Sequence, residues 1–596
     1  MAKNAPHLCS LITPFEKDTE YSWQDYPRPQ LKRDSYISLC GRWQLSVAKY
    51  NTTYQQYSRF STVGRKKKRE RTGEIIPLGY ITVPYPPESR ISGINRPLAE
   101  DESYIYTREF DLPEDFNKGK ILLHFGAVDQ VADVTVNGFY AGSHTGGYLP
   151  FTLDITALAV PGLNVISVEV ADPMDIDLAY GKQRRDRGGM WYTPISGIWQ
   201  PVWLESLPEN YISSLRLTPS LDSITIETAG GAEEKTVVIK TERGDISHTF
   251  TGNKAEINIE NPVLWSPENP HLYYFTLAGG EDRIESYFAL RTVTVENVKG
   301  QRYICLNGKP YFFHGLLDQG YFSDGIYTPA TPRGYVWDIE NMKKLGFNVL
   351  RKHIKVEPDL FYYYCDKMGM IVFQDMMNAG KYNYIIDTVL PTIGMKKGVT
   401  HTPSRKRKEY FERESRQLAD LLYNHPSVCY YTIFNEGWGQ YDADRIYGEM
   451  KEYDPTRIWD ATSGWFIEKE SDVDSHHIYF RRIKLKARKE RPLVLSEFGG
   501  YSWKVEGHAF NAAEEYGYKK FKSGRELTRG LYDMYINDIV PCIKRGLNAA
   551  ILTQVSDVED ETNGIATYDR QIIKTDENTM KNISQQLKDA FHSATK

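Results

Sequence analysis

Two short segments of this chain carry the residues best suited to chemistry. Each is an apolar run of strand length that reaches a glutamate, with a glycine one or two positions later. The first, 430–439, contains Glu436, and the second, 492–500, contains Glu497. Two strands that end at one rim would bring both carboxyl groups together. An acid that protonates a leaving oxygen, beside a carboxylate that attacks carbon or activates water, is what hydrolysis of a glycosidic bond needs. A lone strand-end glutamate could equally form an ion pair or a cap, but the pair favours catalysis.

Length and composition limit the number of domains and the kinds of partner that this chain can have. A chain of 596 residues is too long for one ordinary core, which predicts two to four domains. The formal charge of −5 predicts no polyanionic partner such as nucleic acid. Two basic runs, 65–69 and 405–408, each adjoin an acid and are predicted to be solvated loop and helix starts. The 42 Tyr and 11 Trp suit a carbohydrate site, although most aromatic residues in any protein fill cores.

The sequence also predicts the compartment. Residues 1–14 carry no apolar run of signal-peptide length, and no stretch of 18 apolar residues predicts a membrane span. Six cysteines are scattered without the spacing of disulfide frameworks or metal sites. We therefore expect reduced thiols, a cytoplasmic location and no membrane partner.

The first half of the chain reads as two all-β units. Short alternating strands separated by Gly, Pro, Asn and Asp predict a β-sandwich, assigned to domain 1–207. A smaller series of strands predicts an immunoglobulin-like sandwich, assigned to domain 208–297.

The second half of the chain, assigned to domain 298–596, has a different sequence pattern. Apolar strands alternate with amphipathic helices over roughly 300 residues, the pattern typical of a (β/α)8 barrel. Reactive groups of such barrels lie at the C-terminal ends of the strands, where Glu436 and Glu497 are expected.

These segments resemble glycoside hydrolase family 2, the group that contains β-galactosidases, β-glucuronidases and β-mannosidases. The resemblance covers roughly residues 30 to 570. Its motifs are 134–138 with 146–151, 197–204, 264–273 with 288–291, 306–310 and 346–351. The resemblance implies a jelly-roll β-sandwich, an immunoglobulin-like sandwich and a catalytic (β/α)8 barrel, in that order.

The resemblance also implies roles for individual residues. Glu436 matches the general acid/base and Glu497 the nucleophile of a family that retains anomeric configuration, with carboxyl groups about 5–5.5 Å apart. Asn435 would bind the sugar 2-hydroxyl, and Tyr479 would donate to the nucleophile. Arg351, followed by His353, would keep the pKa of the nucleophile low, or would instead pair with a structural acid.

Other pocket residues are predicted with less detail. His476 is assigned to the pocket, although His476 and His477 share the sixth strand and the sequence does not say which faces the mouth. Gln554 and Trp438 are expected to contact substrate. Asp375 is assigned there too, with hydrogen bonding favoured over a metal role because no compact ligand motif exists. No cofactor or metal is predicted to be required.

The substrate is the least determined property. We expect a small glycoside or oligosaccharide, most of all a β-galactoside, hydrolysed from its end. A β-glucuronide or β-galacturonide is the alternative, since Arg333, Lys352 and Lys355 could gather at the mouth. Against it, the Asn-x-Lys that reads the carboxylate in familiar β-glucuronidases is missing after Asn563. A non-catalytic carbohydrate-binding protein is the third hypothesis, and a homo-oligomer is left open.

Overall fold

The computed structural model describes residues 10–17, 19, 22–56, 65–383, 385–390 and 402–596. Two all-β units come first along the chain, and a ladder of parallel strands and helices follows them. This order confirms the predicted architecture of two sandwiches and a barrel. Cys9 and the side chains of 65–69 lie outside the described residues.

The first unit packs two main antiparallel sheets around one core. In sheet order, the six-stranded sheet comprises Arg65–Val83, Gly41–Gln56, Glu102–Leu112, Gly162–Ala171, Val131–Val136 and Phe139–Thr145. The four-stranded sheet comprises Tyr36–Ser38, Val202–Pro208, Gly119–Phe125 and Phe151–Asp154, and Val128–Asp129 pairs with Gly197–Ile198. From 164 to 170 every second residue of the strand Gly162–Ala171 is buried, as expected for a strand with one face on a core.

The second unit is a smaller sandwich. A three-stranded sheet comprises Ile212–Pro219, Ser223–Gly230 and Lys254–Asn258, and a four-stranded sheet comprises Ile246–Thr251, Glu234–Ile239, Tyr273–Gly279 and Asp282–Phe288. Apolar side chains of both sheets, including Ile226, Val237 and Leu277, form its core. A three-stranded sheet of Val293–Val298, Gln301–Leu306 and Lys309–Pro310 then leads into the barrel.

Eight parallel strands form the barrel. They are β1 Phe313–Asp318, β2 Val349–Lys352, β3 Ile371–Asp375, β4 Val428–Asn435, β5 Ile458–Ser463, β6 Asp474–Ile478, β7 Leu493–Gly499 and β8 Leu547–Thr553. Their order is β5-β4-β3-β2-β1-β8-β7-β6, so hydrogen bonds link all neighbours except β5 and β6, which lie side by side. Strands covered on both faces need near-continuous apolar runs, and nearly all residues of these strands are buried.

Helices lie between the strands. The α-helices whose bounds lie within the described residues are α1 Arg333–Lys344, α2 Asp359–Met368, α3 Arg405–Leu422, α4 Ala443–Tyr453, α5 Gly524–Met534, α6 Val540–Ile543 and α7 Glu577–Thr595. Two π-helical segments, Ile385–Val389 and Tyr535–Ile539, accompany them. No helix in the described ranges combines the length and apolar character needed to cross a membrane.

The second basic run forms the start of α3, as predicted. The Ser404 hydroxyl accepts from the Arg407 backbone N–H and caps the helix. Lys406 and Arg407 pair with Asp175 and Asp177 at 2.5 and 3.1 Å, which ties this barrel helix to the first sandwich.

Candidate active site

The end of β4 presents Glu436 through a sharp turn. Asn435 is the last strand residue, and Glu436 has φ +53°, in the left-handed region that costs a non-glycine residue about 1–3 kcal/mol. Gly437 follows with φ +76°, and a Cβ there would meet the Phe466 ring at 2.2 Å. The turn therefore requires glycine at 437, as the sequence has, and leaves the Glu436 side chain only half-buried.

The end of β7 carries Glu497 in a buried, hydrogen-bonded position. Its Oε1 accepts from Arg351 Nη1 at 3.0 Å, and its Oε2 accepts from the Tyr479 hydroxyl. Burial alone would raise the pKa of Glu497, but the imidazole of His477 and the guanidinium of Arg351 hold that pKa below its ordinary value. Glu497 is therefore ionised at neutral pH, the state that a nucleophile needs.

Arg351 organises the pocket floor. Its buried guanidinium donates to both oxygens of Asp375 at 3.0 and 3.1 Å. Arg351 therefore has the structural acid partner that was the alternative prediction for it. It also donates to Glu497 and, through Nη2, to Asn435 Oδ1 at 2.9 Å and Ser463 Oγ at 3.1 Å. One fixed cation thus links the ends of β3, β4, β5 and β7.

Asn435 is held by its oxygen and leaves its nitrogen available. Its Oδ1 accepts from Arg351 and from the Ser463 hydroxyl at 2.8 Å. In the part of the chain that the structure describes, both side-chain hydrogen bonds of Asn435 use Oδ1, and its Nδ2 makes none. An amide nitrogen with both donors unused suits a sugar hydroxyl.

Asp375 and His353 lie behind Arg351. Asp375 accepts from Arg351 and, at 2.7 Å, from His353 Nδ1. Burial raises the pKa of Asp375, but the charge of Arg351 and the bond from His353 hold that pKa below its ordinary value. Its oxygens are engaged by protein donors, so the structure gives Asp375 a supporting position rather than the predicted contact with substrate.

The structure corrects the choice between the two histidines. His476 Nε2 lies 3.1 Å from Asp474 Oδ1, whereas His477 lies between the two glutamates. Its Nδ1 is 2.8 Å from Glu436 Oε1, and its Nε2 is 3.6 Å from Glu497 Oε1. A bulge in the pairing of β6 with β7 falls between these two histidines, so strict strand alternation does not decide which one faces the pocket.

Gln554 and Trp438 have partners within the protein. Gln554 follows β8 and donates from Nε2 to Asn563 Oδ1 at 2.7 Å. Trp438 is buried, and its indole N–H donates to the Gly380 carbonyl at 2.7 Å. Its ring lies edge-on to Trp191 of the first sandwich, with centroids 5.6 Å apart. Trp438 therefore packs between barrel and sandwich instead of presenting a free face to substrate.

The cations proposed for a uronate are engaged elsewhere or exposed. Lys352 pairs with Asp318 at 2.7 Å and with Glu357 at 2.8 Å, and Lys355 also pairs with Glu357 at 2.8 Å. Both ammonium groups are buried. Arg333 is exposed at the start of α1, beside a separate cavity of about 480 Å³.

Sequence reasoning missed contacts from the first sandwich. Tyr192 donates to Glu561, and the Thr193 N–H donates to Glu559 Oε1 at 2.9 Å. Both glutamates belong to the segment that follows β8. The motif at 197–204 begins shortly after these two residues, but nothing local in the sequence shows where Tyr192 and Thr193 dock.

The same pocket offers ligand atoms to a cation. Glu436, His477 and Glu497 each present one such atom, and the three lie within 4.8 Å of one another. Arg351 already donates to Glu497 and approaches His477 Nε2 at 3.3 Å, so a metal ion would compete with that guanidinium. The arrangement suits proton transfer and nucleophilic attack better than metal coordination.

Comparison with known families agrees with the fold and the motifs. Residues 87–196 match the glycosyl hydrolase 2 galactose-binding domain-like family, 211–291 match glycosyl hydrolases family 2, and 296–588 match the TIM barrel domain of that family. The chain belongs to glycoside hydrolase family 2. Family 2 motifs thus cover both sandwiches and the barrel.

Individual relatives in family 2 are named as enzymes that act on different sugars. A β-galactosidase of Thermoanaerobacter pseudethanolicus is 29% identical over 69% of this chain and 56% of its own length. A putative β-glucuronidase of Formosa agariphila is 25% identical over 56% of this chain and 39% of its own length. The chain therefore spans only about two fifths to somewhat over half of these two relatives.

Solved structures share the fold. A β-D-glucuronidase of Dictyoglomus thermophilum superposes with a TM-score of 0.70 at 18% identity, covering 94% of this chain and 98% of its own. A β-galacturonidase of Eisenbergiella tayi gives a TM-score of 0.62 at 18% identity, covering 95% and 99%. At this identity the likeness concerns the fold alone.

Proposed function

We propose that this protein is a retaining exo-β-glycosidase. The observation that carries the proposal is the spacing of the two acids: one oxygen of Glu436 and one of Glu497 lie within 4.8 Å of each other. Retaining glycosidases hold their two carboxyl groups about 5–5.5 Å apart, whereas inverting enzymes leave about 6.5–9.5 Å for a water molecule.

The mechanism follows from the two environments. Glu497, buried and kept ionised beside Arg351, attacks the anomeric carbon while Glu436 protonates the departing glycosidic oxygen. The C–O bond to the aglycone breaks as the glycosyl ester of Glu497 forms. Glu436, now ionised, removes a proton from water, which attacks the same carbon and releases Glu497. Asn435 Nδ2 binds the 2-hydroxyl during both steps.

For the glycone we propose a neutral sugar, most of all a β-galactoside. The β-galactosidase relative supports this choice. The segment after β8 also supports it. In familiar β-glucuronidases a lysine of this segment binds the substrate carboxylate, whereas here the segment carries buried Glu559 and Glu561. The β-glucuronide or β-galacturonide remains the alternative, favoured by the names of the Dictyoglomus and Eisenbergiella enzymes.

A non-catalytic carbohydrate-binding role fits less well. A binding protein has no need for a buried carboxylate whose pKa is kept low beside a second, half-buried carboxyl group. The Arg351 network instead fixes Glu497 in its ionised state.

The decisive experiment is a panel of nitrophenyl β-glycosides: galactoside, glucuronide, galacturonide, mannoside and arabinoside. We expect turnover of the galactoside by the wild type and none by Glu497→Ala. Absence of turnover across the whole panel would contradict the glycosidase proposal, and a tenfold or greater preference for a uronide would overturn the neutral glycone.

We also propose a cytoplasmic location. The five cysteines of the described chain are all free and buried, as expected where thiols stay reduced. Fractionation of the source cells with an antibody to the chain tests this: recovery with secreted proteins would contradict it.

A further inference from the structure

Lys182 differs from the other cations near the barrel mouth. Arg351, Lys352 and Lys355 are buried and bonded to carboxylates. Lys182 is half-buried, and within the described ranges its ammonium group has no hydrogen-bond acceptor or carboxylate at bonding distance. A partly desolvated ammonium group with three unused donors is suited to a ligand.

The segment that carries Lys182 is fixed on the barrel. Within 182–192 the chain turns back through an antiparallel bridge between Gly188 and Trp191, and a parallel bridge joins Gln183 to Tyr192. We refer to 180–193 as the sandwich hairpin. Tyr180 donates to the Gly380 carbonyl at 2.6 Å, and Tyr192 donates to Glu561. Arg187 pairs with Glu559 at 3.3 Å. These contacts hold the hairpin against the segment after β8 and against the loop that follows β3.

The residue before Lys182 lies beside the pocket floor, just beyond the end of β2: a Cβ on Gly181 would lie 3.1 Å from the carbonyl oxygen of Ile354, the residue after His353. The Nζ of Lys182 lies 5.4 Å from the centre of the Trp191 ring, which packs on Trp438, two residues beyond Glu436. Burial and then the charge of Lys182 lower the pKa of His353, although its bond to Asp375 opposes them. The backbone N–H of Tyr192 donates to the Lys182 carbonyl at 3.0 Å, and the Tyr192 hydroxyl donates to Glu561, so Lys182 and Glu561 share one region.

The charges around Lys182 indicate the kind of group it binds. Glu561 is buried, and its carboxylate already accepts from Tyr192 and Asn563. A substrate carboxylate placed on Lys182 would also face Glu561, a like charge in a poorly solvated site. A sugar hydroxyl oxygen accepts from an ammonium group without that repulsion.

We propose that Lys182, contributed by the first sandwich, donates a hydrogen bond to a ring hydroxyl of the terminal sugar and so determines specificity for a neutral glycone. The proposal rests on the glycosidase function above. It places a substrate contact on a domain other than the one that carries both catalytic glutamates.

Deoxy substrates test this assignment. Lys182→Met keeps the apolar stem over Trp191 and removes the charge. For the nitrophenyl glycoside that the wild type hydrolyses best, we expect kcat/KM to fall about 10- to 100-fold, the value of a charge-assisted hydrogen bond. For either the 3-deoxy or the 4-deoxy derivative the same substitution should change kcat/KM less than about threefold, because the acceptor is already missing.

Arg184→Met is the matched control. Arg184 lies on the same hairpin with its guanidinium carbon 5.2 Å from the Trp191 ring, but it pairs with Asp186 at 2.7 Å. We expect it to leave kcat/KM within about twofold of wild type. Thermal unfolding of both variants reports whether the hairpin stays docked, and Lys182→Gln serves if Lys182→Met does not fold.

The outcomes separate the two proposals. A wild type inactive on every glycoside rejects the glycosidase function itself. An active wild type with equal losses on parent and deoxy substrates, or with no loss at all, overturns the role of Lys182. A loss confined to the galacturonide would show that Lys182 binds a carboxylate and would also overturn it.

Discussion

At the residue scale, the two glutamates differ in what surrounds them. Glu497 is buried and accepts hydrogen bonds from Arg351 and Tyr479. Glu436 is half-buried, and its carboxyl group is hydrogen-bonded to one imidazole nitrogen, Nδ1 of His477. A buried carboxylate held by two donors suits nucleophilic attack, and a carboxyl group closer to solvent suits proton exchange with the leaving oxygen and with water. The contrast supports the order of roles in the proposed mechanism.

Substitution of each glutamate should therefore reduce activity in a different way. Glu497→Gln removes the attacking oxygen, and we expect kcat to fall by several orders of magnitude. Glu436→Ala removes only proton transfer, so azide should restore turnover of substrates with good leaving groups. Glu409→Gln, on the exposed face of α3, is the control and should leave kcat unchanged. Steady-state kinetics measure these effects, and an inverted product seen by NMR would reject the double-displacement assignment.

The hydrogen bond from Tyr479 should be visible in the pH profile. Activity requires ionised Glu497, and the lowered pKa of that group keeps the enzyme active below the ordinary carboxyl range. Tyr479→Phe removes one donor to the ionised form, so the acid limb of kcat/KM should move to higher pH. Tyr518→Phe, in a ring stacked on Tyr479 with centroids 4.5 Å apart, should not move it. An acid limb unchanged in Tyr479→Phe would contradict this role.

At the scale of elements, the barrel was predictable and some side-chain directions were not. The apolar runs before Glu436 and Glu497 predict β4 and β7 because buried parallel strands need them. Alternation predicts that Arg351, His353 and Lys355 share a side, yet β2 ends at Lys352 and Ile354 has φ +49°. The chain turns there, and Lys355 joins Lys352 on Glu357.

That buried ion network should affect the stability of the protein and not its specificity for the sugar. Glu357 accepts from Lys352, Lys355 and Tyr335, so Glu357→Leu leaves two buried cations short of a partner. We expect a loss of about 3–5 kcal/mol in the free energy of unfolding. Lys344→Met, which removes an exposed pair with Glu577, should cost under about 1 kcal/mol. Denaturant unfolding measures both, and an equal cost for the two would contradict the burial argument.

At the scale of the whole molecule, the site is shared between domains. The predicted boundaries at 207 and 297 assign both proposed catalytic glutamates to the barrel, and those boundaries stay predictions. The sandwich hairpin nevertheless reaches the segment after β8 through Tyr192, Thr193 and Arg187. Sequence patterns could not show this, because strand periodicity describes each domain alone and docking depends on side chains far apart in the chain.

Docking of the hairpin through Glu559 should therefore control substrate binding. Glu559 accepts from the Thr193 N–H at 2.9 Å and from Arg187 at 3.3 Å, and it is buried. Glu559→Gln and Arg187→Gln should each raise KM about tenfold with a smaller effect on kcat, because they displace the pocket wall and not the catalytic pair. The double variant should be little worse than either single one, since both break the same contact. Glu506→Gln, exposed on the loop after β7, is the control. Additive effects, or unchanged KM in both single variants, would show that the hairpin is held by other contacts and that its docking does not shape the pocket.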